Sequence, residues 1–189
     1  MSTDTTSTDT TGTSTTGTGR VDGVTVAQDA EALTVTFTTD LAAPPARVWQ
    51  VWEDPRQLER WWGPPTWPAT FTAHDLRPGG RSAYYMTGPD GERAHGWWEV
   101  RTVDEPRSFA FEDGFADAAG APDPSLPTSL GAVTLEEAPG GTRMTVRSTF
   151  GSTEQMQQLV GMGMVDGMTL CLGQLRDQLA EDGRDPDRG

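Results

Sequence analysis

The chain has 189 residues, enough for one domain with a real core and short of two large ones, and a formal charge of −14. That balance, with its acids scattered instead of gathered into a run, argues against nucleic acid and anionic membrane as electrostatic partners. One cysteine, Cys171, excludes an intrachain disulfide and a cysteine-based metal site, and no stretch approaches the ~18 consecutive apolar residues of a membrane span.

Residues 1–22 are almost entirely Ser, Thr and Gly. They carry too little apolar surface to offset the entropy of ordering, so they are expected to form a disordered tail. No apolar signal-type segment opens the chain, which makes a cytoplasmic location the expectation. Residues 23–182 read as a single domain, and 183–189 as a second disordered tail. From Glu31 to Leu41, the apolar Leu33, Val35 and Phe37 alternate with Thr34, Thr36 and Thr38, the pattern of a half-buried strand. Pro44-Pro45 end it and start a helix whose inner face is Val48, Val51 and the indoles of Trp49 and Trp52. Asp54-Pro55 break that helix, and a second short piece follows with Leu58 and Trp61 inward, closed by Gly63-Pro64-Pro65.

Strands are then expected within ATFTAHDL before the Pro78 turn, where His74 would share a face with Thr72 and Leu76, at SAYYM, the segment through Trp97, Trp98, Val100 and Val103, SFAFE, and both sides of Gly140-Gly141. Pro78-Gly79-Gly80 and Gly88-Pro89-Asp90-Gly91 supply turns between them. A loop of about 18 residues after SFAFE is long for a plain connection, and is either a lid or local disorder.

Ser152 to Glu181 can run as one helix of about 30 residues, or about 45 Å. Met156, Val160, Met164, Met168, Leu172, Leu175 and Leu179 recur at three- and four-residue intervals, an apolar stripe that needs a sheet to lie on. Ser152 and Gln155 have capping-box spacing, with Glu154 in the first turn. Gly161, Gly163, Gly167 and Gly173 are unusual in a helix. They mark close approach to the sheet, tolerated surface positions, or a small-residue face that leaves room for a ligand beside the methionines. About six or seven strands in hairpins, with helices to one side, give an α+β class. A sheet curved around the long helix would enclose a cavity.

PARVWQVWEDPRQLERWWG (45–63) resembles the opening helix pair of the activator of heat-shock-protein-90 ATPase homologue-like family, a branch of the START / polyketide-cyclase (SRPBCC) superfamily. DLRPGGR (75–81), HGWWEV (95–100), GGTRMTV (140–146) and GMGMVDGMTLCLGQLRDQL (161–179) are similar to its later blocks, in the right order. The resemblance spans about residues 30–181. It implies a helix-grip fold, START-like and Bet v-like: a curved antiparallel sheet wrapped around a long C-terminal helix with an internal cavity. What it implies of function is broad, since such proteins include small-molecule binders, stress-related proteins, chaperone activators and, in related branches, cyclases and aromatases.

Candidate cavity residues are Trp62, Trp67, His74, Tyr84, His95, Trp97, Phe115, Met164 and Met168. Only one ring of Trp61-Trp62 is expected to turn fully inward, and one of Trp97-Trp98 to face the helix. The acidic pairs, Glu112-Asp113 among them, read as solvated carboxylates at element ends, and Cys171 as a buried small hydrophobe. The histidines lack zinc-ligand spacing, and no serine elbow or phosphate loop is present, so neither catalytic residue, metal nor cofactor is expected. Three functions stay open. The first is non-catalytic binding of a small apolar or aromatic molecule, which needs a cavity above about 300 Å³. The second is a cyclase-like or aromatase-like enzyme using His74, His95, Asp75 or Tyr84. The third is a chaperone-activator-like interaction module with a large exposed apolar patch. Phe115, Leu126 and Leu130 would close over a cavity mouth, and the outer sheet face offers a surface for a homodimer.

Overall fold

The computed structural model describes residues 16–184. Nine strands form one antiparallel sheet: β1 (Thr16–Val21), β2 (Val24–Asp29), β3 (Thr34–Leu41), β4 (Ala69–Ala73), β5 (Arg81–Thr87), β6 (Arg93–Asp104), β7 (Ser108–Ala116), β8 (Ser129–Ala138) and β9 (Gly141–Thr149). Helices α1 (Pro45–Glu53) and α2 (Pro55–Leu58) lie between β3 and β4, and α3 (Thr153–Gly161) and α4 (Met164–Asp182) follow β9. The strand order β1-β2-β3-β9-β8-β7-β6-β5-β4 is two hairpin runs joined where β9 returns beside β3. Register shifts in β4 at Phe71/Ala73 and against β7 at Val100/Thr102 add local bends to the sheet. The result is a helix-grip fold, with the curved sheet closed around α4.

The period-2 pattern places Val35 and Phe37 of β3, Trp98 and Val100 of β6, Phe109 and Phe111 of β7, Val133 and Leu135 of β8, and Met144 and Val146 of β9 on the inner face, all buried. Against them α4 buries Leu172, Leu175 and Leu179, worth about 1.5–3 kcal/mol each in apolar transfer. Arg47 ties α1 to the end of α4 through Asp182 at 2.5 Å. Trp52 sits at the centre, edge-on to Trp61 at 4.6 Å and to Phe109 at 5.0 Å, with its indole N–H donating to the Met144 sulfur at 3.4 Å.

Three expectations are corrected. Residues 16–21 form β1 where the sequence predicts disorder; the rest of that predicted tail, 1–15, and of the C-terminal one, 185–189, lie outside the described residues. The signal for β1 is the Asp22-Gly23 turn, whose φ values of 48° and 77° are both positive, as a tight two-residue hairpin requires. The Arg176 guanidinium of α4 donates to the Asp22 carbonyl and holds this turn.

The predicted single helix is two. α3 ends at Gly161 with Met162 as its cap, and Gly163 takes φ +90°, a left-handed conformation that stops the helix before its carbonyl accepts from Gly167 at 2.9 Å to start α4. The Ser152 cap forms as predicted, accepting from Gln155 N–H at 3.2 Å, while the Gln155 side chain accepts from Gly151 N–H at 3.0 Å. The glycines do not approach the sheet: a methyl at Gly161, Gly163, Gly167 or Gly173 would meet nothing within 4 Å. Trp61 and Trp62 are both buried, not one of two, because the first packs on Trp52 and the second on Trp98. No described helix is long and apolar enough to cross a membrane.

Candidate functional site

A cavity of about 590 Å³ lies between the inner face of β5–β9 and the α3–α4 junction. Trp62 reaches it from the turn after α2, where Gln174 of α4 donates to the carbonyls of Trp61 (3.2 Å) and Gly63 (2.7 Å). Gly63 itself has φ +90°, and a Cβ there would strike the Trp67 carbonyl oxygen at 2.3 Å, so only glycine lets the chain fold back and aim Trp62 inward. The Trp62 ring meets Trp98 edge-on at 4.8 Å, and Trp98 in turn lies against Phe111 at 4.6 Å, making an aromatic wall. Met164 and Met168 form the helix side, half-buried although apolar because the cavity, not packed side chains, faces them.

Two glycines shape the space. A Cβ on Gly96 would fall 2.4 Å from the Tyr84 ring, and one on Gly131 would fall 2.7 Å from Phe111. Each ring therefore lies over a neighbouring strand's backbone instead of standing upright, and the volume above stays open. Tyr84 also stacks on Phe71 at 5.0 Å. Burial, with the Asp113 charge nearby, raises the Tyr84 phenol well above its ordinary pKa. The buried Trp62 and Trp98 indole N–H groups approach the phenol oxygen, yet neither makes a well-formed hydrogen bond. Cys171, on the helix side, is pushed up to about 12 by burial and stays a thiol, poorly suited to nucleophilic attack.

Seven of the nine residues singled out from the sequence line the cavity: Trp62, Trp67, Tyr84, His95, Phe115, Met164 and Met168. His95 does so from the strand edge, since the alternation of β6 turns its ring outward, 5.7 Å from the Tyr85 ring directly across in β5. His74 and Trp97 do not line it. The bulge in β4 places His74 between strand and α1, where Nε2–H donates to the Trp52 carbonyl at 2.8 Å and Nδ1 accepts from the Ser82 hydroxyl at 2.8 Å. Burial lowers its pKa, so the ring is a neutral, satisfied strut. Trp97 lies on the outer face and donates its indole N–H to the Phe115 carbonyl at 3.1 Å.

The mouth also differs from expectation. β7 runs on to Ala116, which shortens the following loop, and Asp117 and Asp123 side chains fold that loop by accepting from Ala119, Ala121 and Ser125 backbone N–H groups. Phe115 and Pro127 border the cavity; Leu126 does not, and Leu130 is 50% exposed on the outer side.

Asp113 is the residue that sequence reasoning misses. Its place beside Glu112 suggests a solvated strand-end acid, but Phe109, Phe111, Asp113 and Phe115 alternate on one face, and that face is inward. The register aligns Trp98, Asp113 and Ser129 across three strands, and the Ser129 hydroxyl donates to Asp113 Oδ1 at 2.5 Å. Burial raises the Asp113 carboxyl to about 6, against which the Ser129 hydrogen bond works only in part. Among the described residues, no group of three His, Cys, Asp or Glu side chains gathers to hold a metal ion.

Comparison with known proteins agrees with this architecture. The family described as "Activator of Hsp90 ATPase homolog 1-like protein" matches residues 42–180. A crystal structure of protein Ms6760 from Mycobacterium smegmatis is 50% identical, covering 82% of this chain and 96% of that one, with a TM-score of 0.77. A solution structure from Arthrobacter aurescens is 51% identical over 82% of this chain and 91% of that one (TM-score 0.79). One from Staphylococcus epidermidis is 28% identical, over 79% and 91%, at 0.70. No curated protein matches. With the family's pattern spanning most of the chain and the fold shared with half-identical relatives, the protein belongs to the activator of Hsp90 ATPase homolog 1-like family, within the SRPBCC type of helix-grip proteins.

Proposed function

We propose that this protein binds a small, largely apolar or aromatic molecule in the cavity between sheet and α4, without transforming it. The observation that carries the reading is the volume of about 590 Å³, within the range of about 300–1,000 Å³ typical of ligand sites, with Trp, Tyr, Phe and Met side chains among its lining. The half-buried Met164 and Met168 supply flexible thioethers that adapt to a bound shape. A cyclase-like or aromatase-like reaction has less support: of the four polar groups considered for it, Tyr84 alone presents its side chain to the cavity, and its raised pKa makes it a poor base.

Two measurements test the reading together. Freshly purified protein is weighed by native and then denaturing mass spectrometry, and the protein is titrated with the neutral fluorophore 2-(1-naphthyl)ethanol. The expected result is either an excess mass lost on denaturation or saturable one-to-one uptake of the fluorophore, and uptake is abolished when Met168→Trp fills the space. Apo mass with no saturable uptake would overturn it.

A further inference from the structure

The cavity contains a carboxylate that no cation balances among the described residues. The two nearest acids on the outer face are matched: Glu112 pairs with Arg101, and Glu99 with Arg81 and Arg101. Asp113, one residue on but facing inward, receives a single side-chain hydrogen bond, from Ser129 to Oδ1, and no arginine or histidine pairs with it among the described residues. The chain has no lysine, and among the described residues no arginine lines the cavity, so no side-chain ammonium of the protein's own stands there. Buried charges in proteins are ordinarily paired. The same cavity is lined by Trp62, Tyr84, Phe111 and Phe115, rings of the kind that attract a cation.

We propose that the ligand is an organic amine, an aromatic or aliphatic body carrying one ammonium group, and that Asp113 receives the ammonium while the surrounding rings hold the body. The proposal rests on the reading of the cavity as a ligand site and assigns its chemical class. The free Asp113 Oδ2 accepts from the ammonium, and Ser129 holds Oδ1 so that the carboxylate keeps one orientation. Trp62 and Phe111 contribute cation–π attraction. The net charge of −14 adds a long-range pull on cations, and repels carboxylate ligands of the same size.

The test compares two near-isosteric probes, 2-(1-naphthyl)ethylamine and 2-(1-naphthyl)ethanol, on the wild-type protein and on Asp113→Asn at pH 7.5. The expected result is that the amine binds wild type roughly 10- to 100-fold more tightly than the alcohol. In Asp113→Asn the two probes bind alike, at the affinity the alcohol has for wild type. The pairing of amine with Asp113 is overturned if wild type binds both equally, if the alcohol binds better, or if the preference survives in Asp113→Asn. In each of those cases the cavity still takes up the neutral probe, and the binding reading stands. If neither probe binds, the binding reading itself falls, and this inference with it. Because the two probes are compared first on wild type, the outcome does not depend on the variant folding.

Discussion

Replacing Asp113 with Asn is predicted to make the protein more stable at neutral pH, and by an amount that depends on pH. The unfolded chain titrates this carboxyl at its ordinary 3.8, whereas burial holds it at about 6 in the folded protein. Between those values the folded state binds more protons than the unfolded one. Stability from this group is therefore fully present below about pH 4 and lost as pH rises through 6. A displacement of about two units is worth at most about 3 kcal/mol at ~1.4 kcal/mol each, and the half-buried side chain beside a solvent-reachable cavity reduces this to about 2 kcal/mol. The Asp113→Asn amide would keep the hydrogen bond from Ser129 and remove the charge. Thermal melts of both proteins from pH 4 to pH 8 should show the variant's advantage growing across pH 4–6 and then flat, reaching roughly 4–8 °C. Taking the difference between the two proteins cancels the other carboxylates. An offset independent of pH, or a variant less stable at pH 7.5, would refute the burial argument. The same substitution is predicted to remove amine selectivity, so that stability and ligand preference trade against each other at one residue.

Other substitutions separate the parts of the account. Gly163→Ala places an L-residue at φ +90° with no contact to relieve it and should cost about 1–2 kcal/mol in urea unfolding, while Gly173→Ala, in open space within α4, should gain roughly 0.5–1 kcal/mol. A gain at both positions would mean that α3 and α4 are continuous. Leu172→Ala opens a hole between α4 and the sheet and should cost about 2–5 kcal/mol. A loss under 1 kcal/mol would contradict the gripped position of α4. Gly96→Ala drives a methyl into the Tyr84 ring, 2.4 Å away, and pushes it toward the cavity. Naphthylethanol affinity should fall while the melting temperature drops by a few degrees, and unchanged affinity would show that the ring does not bound the site.

Much of this architecture is legible in local pattern. Alternation marks β3, the double prolines open α1, and the heptad-like stripe points to α4, because in each case side-chain periodicity matches the buried face. What local pattern does not reveal depends on backbone or on distant partners. Gly163 looks like the other glycines of its stretch, and only its left-handed φ distinguishes a helix break from a tolerated position. β1 is four-sixths Thr and Gly and persists through its ladder to β2, a pairing that composition conceals and the Asp22-Gly23 turn betrays. A bulge draws His74 away from the cavity, and a single step of alternation does the same for Trp97. Asp113 resembles its neighbour Glu112 in sequence, yet its companions in space are Phe111 and Phe115, two residues away on either side.

The most direct test of the binding claim uses the methionine methyl groups as internal reporters. Met86, Met162, Met164 and Met168 border the cavity, whereas Met144 and Met156 are buried elsewhere in the same core. Methyl-labelled protein titrated with 2-(1-naphthyl)ethylamine and followed by NMR should show saturable shifts at the four cavity methyls, with Met144 and Met156 unmoved. Shifts at Met144 and Met156 alone, or none at any methyl at millimolar probe, would contradict a ligand seated between the sheet and α4.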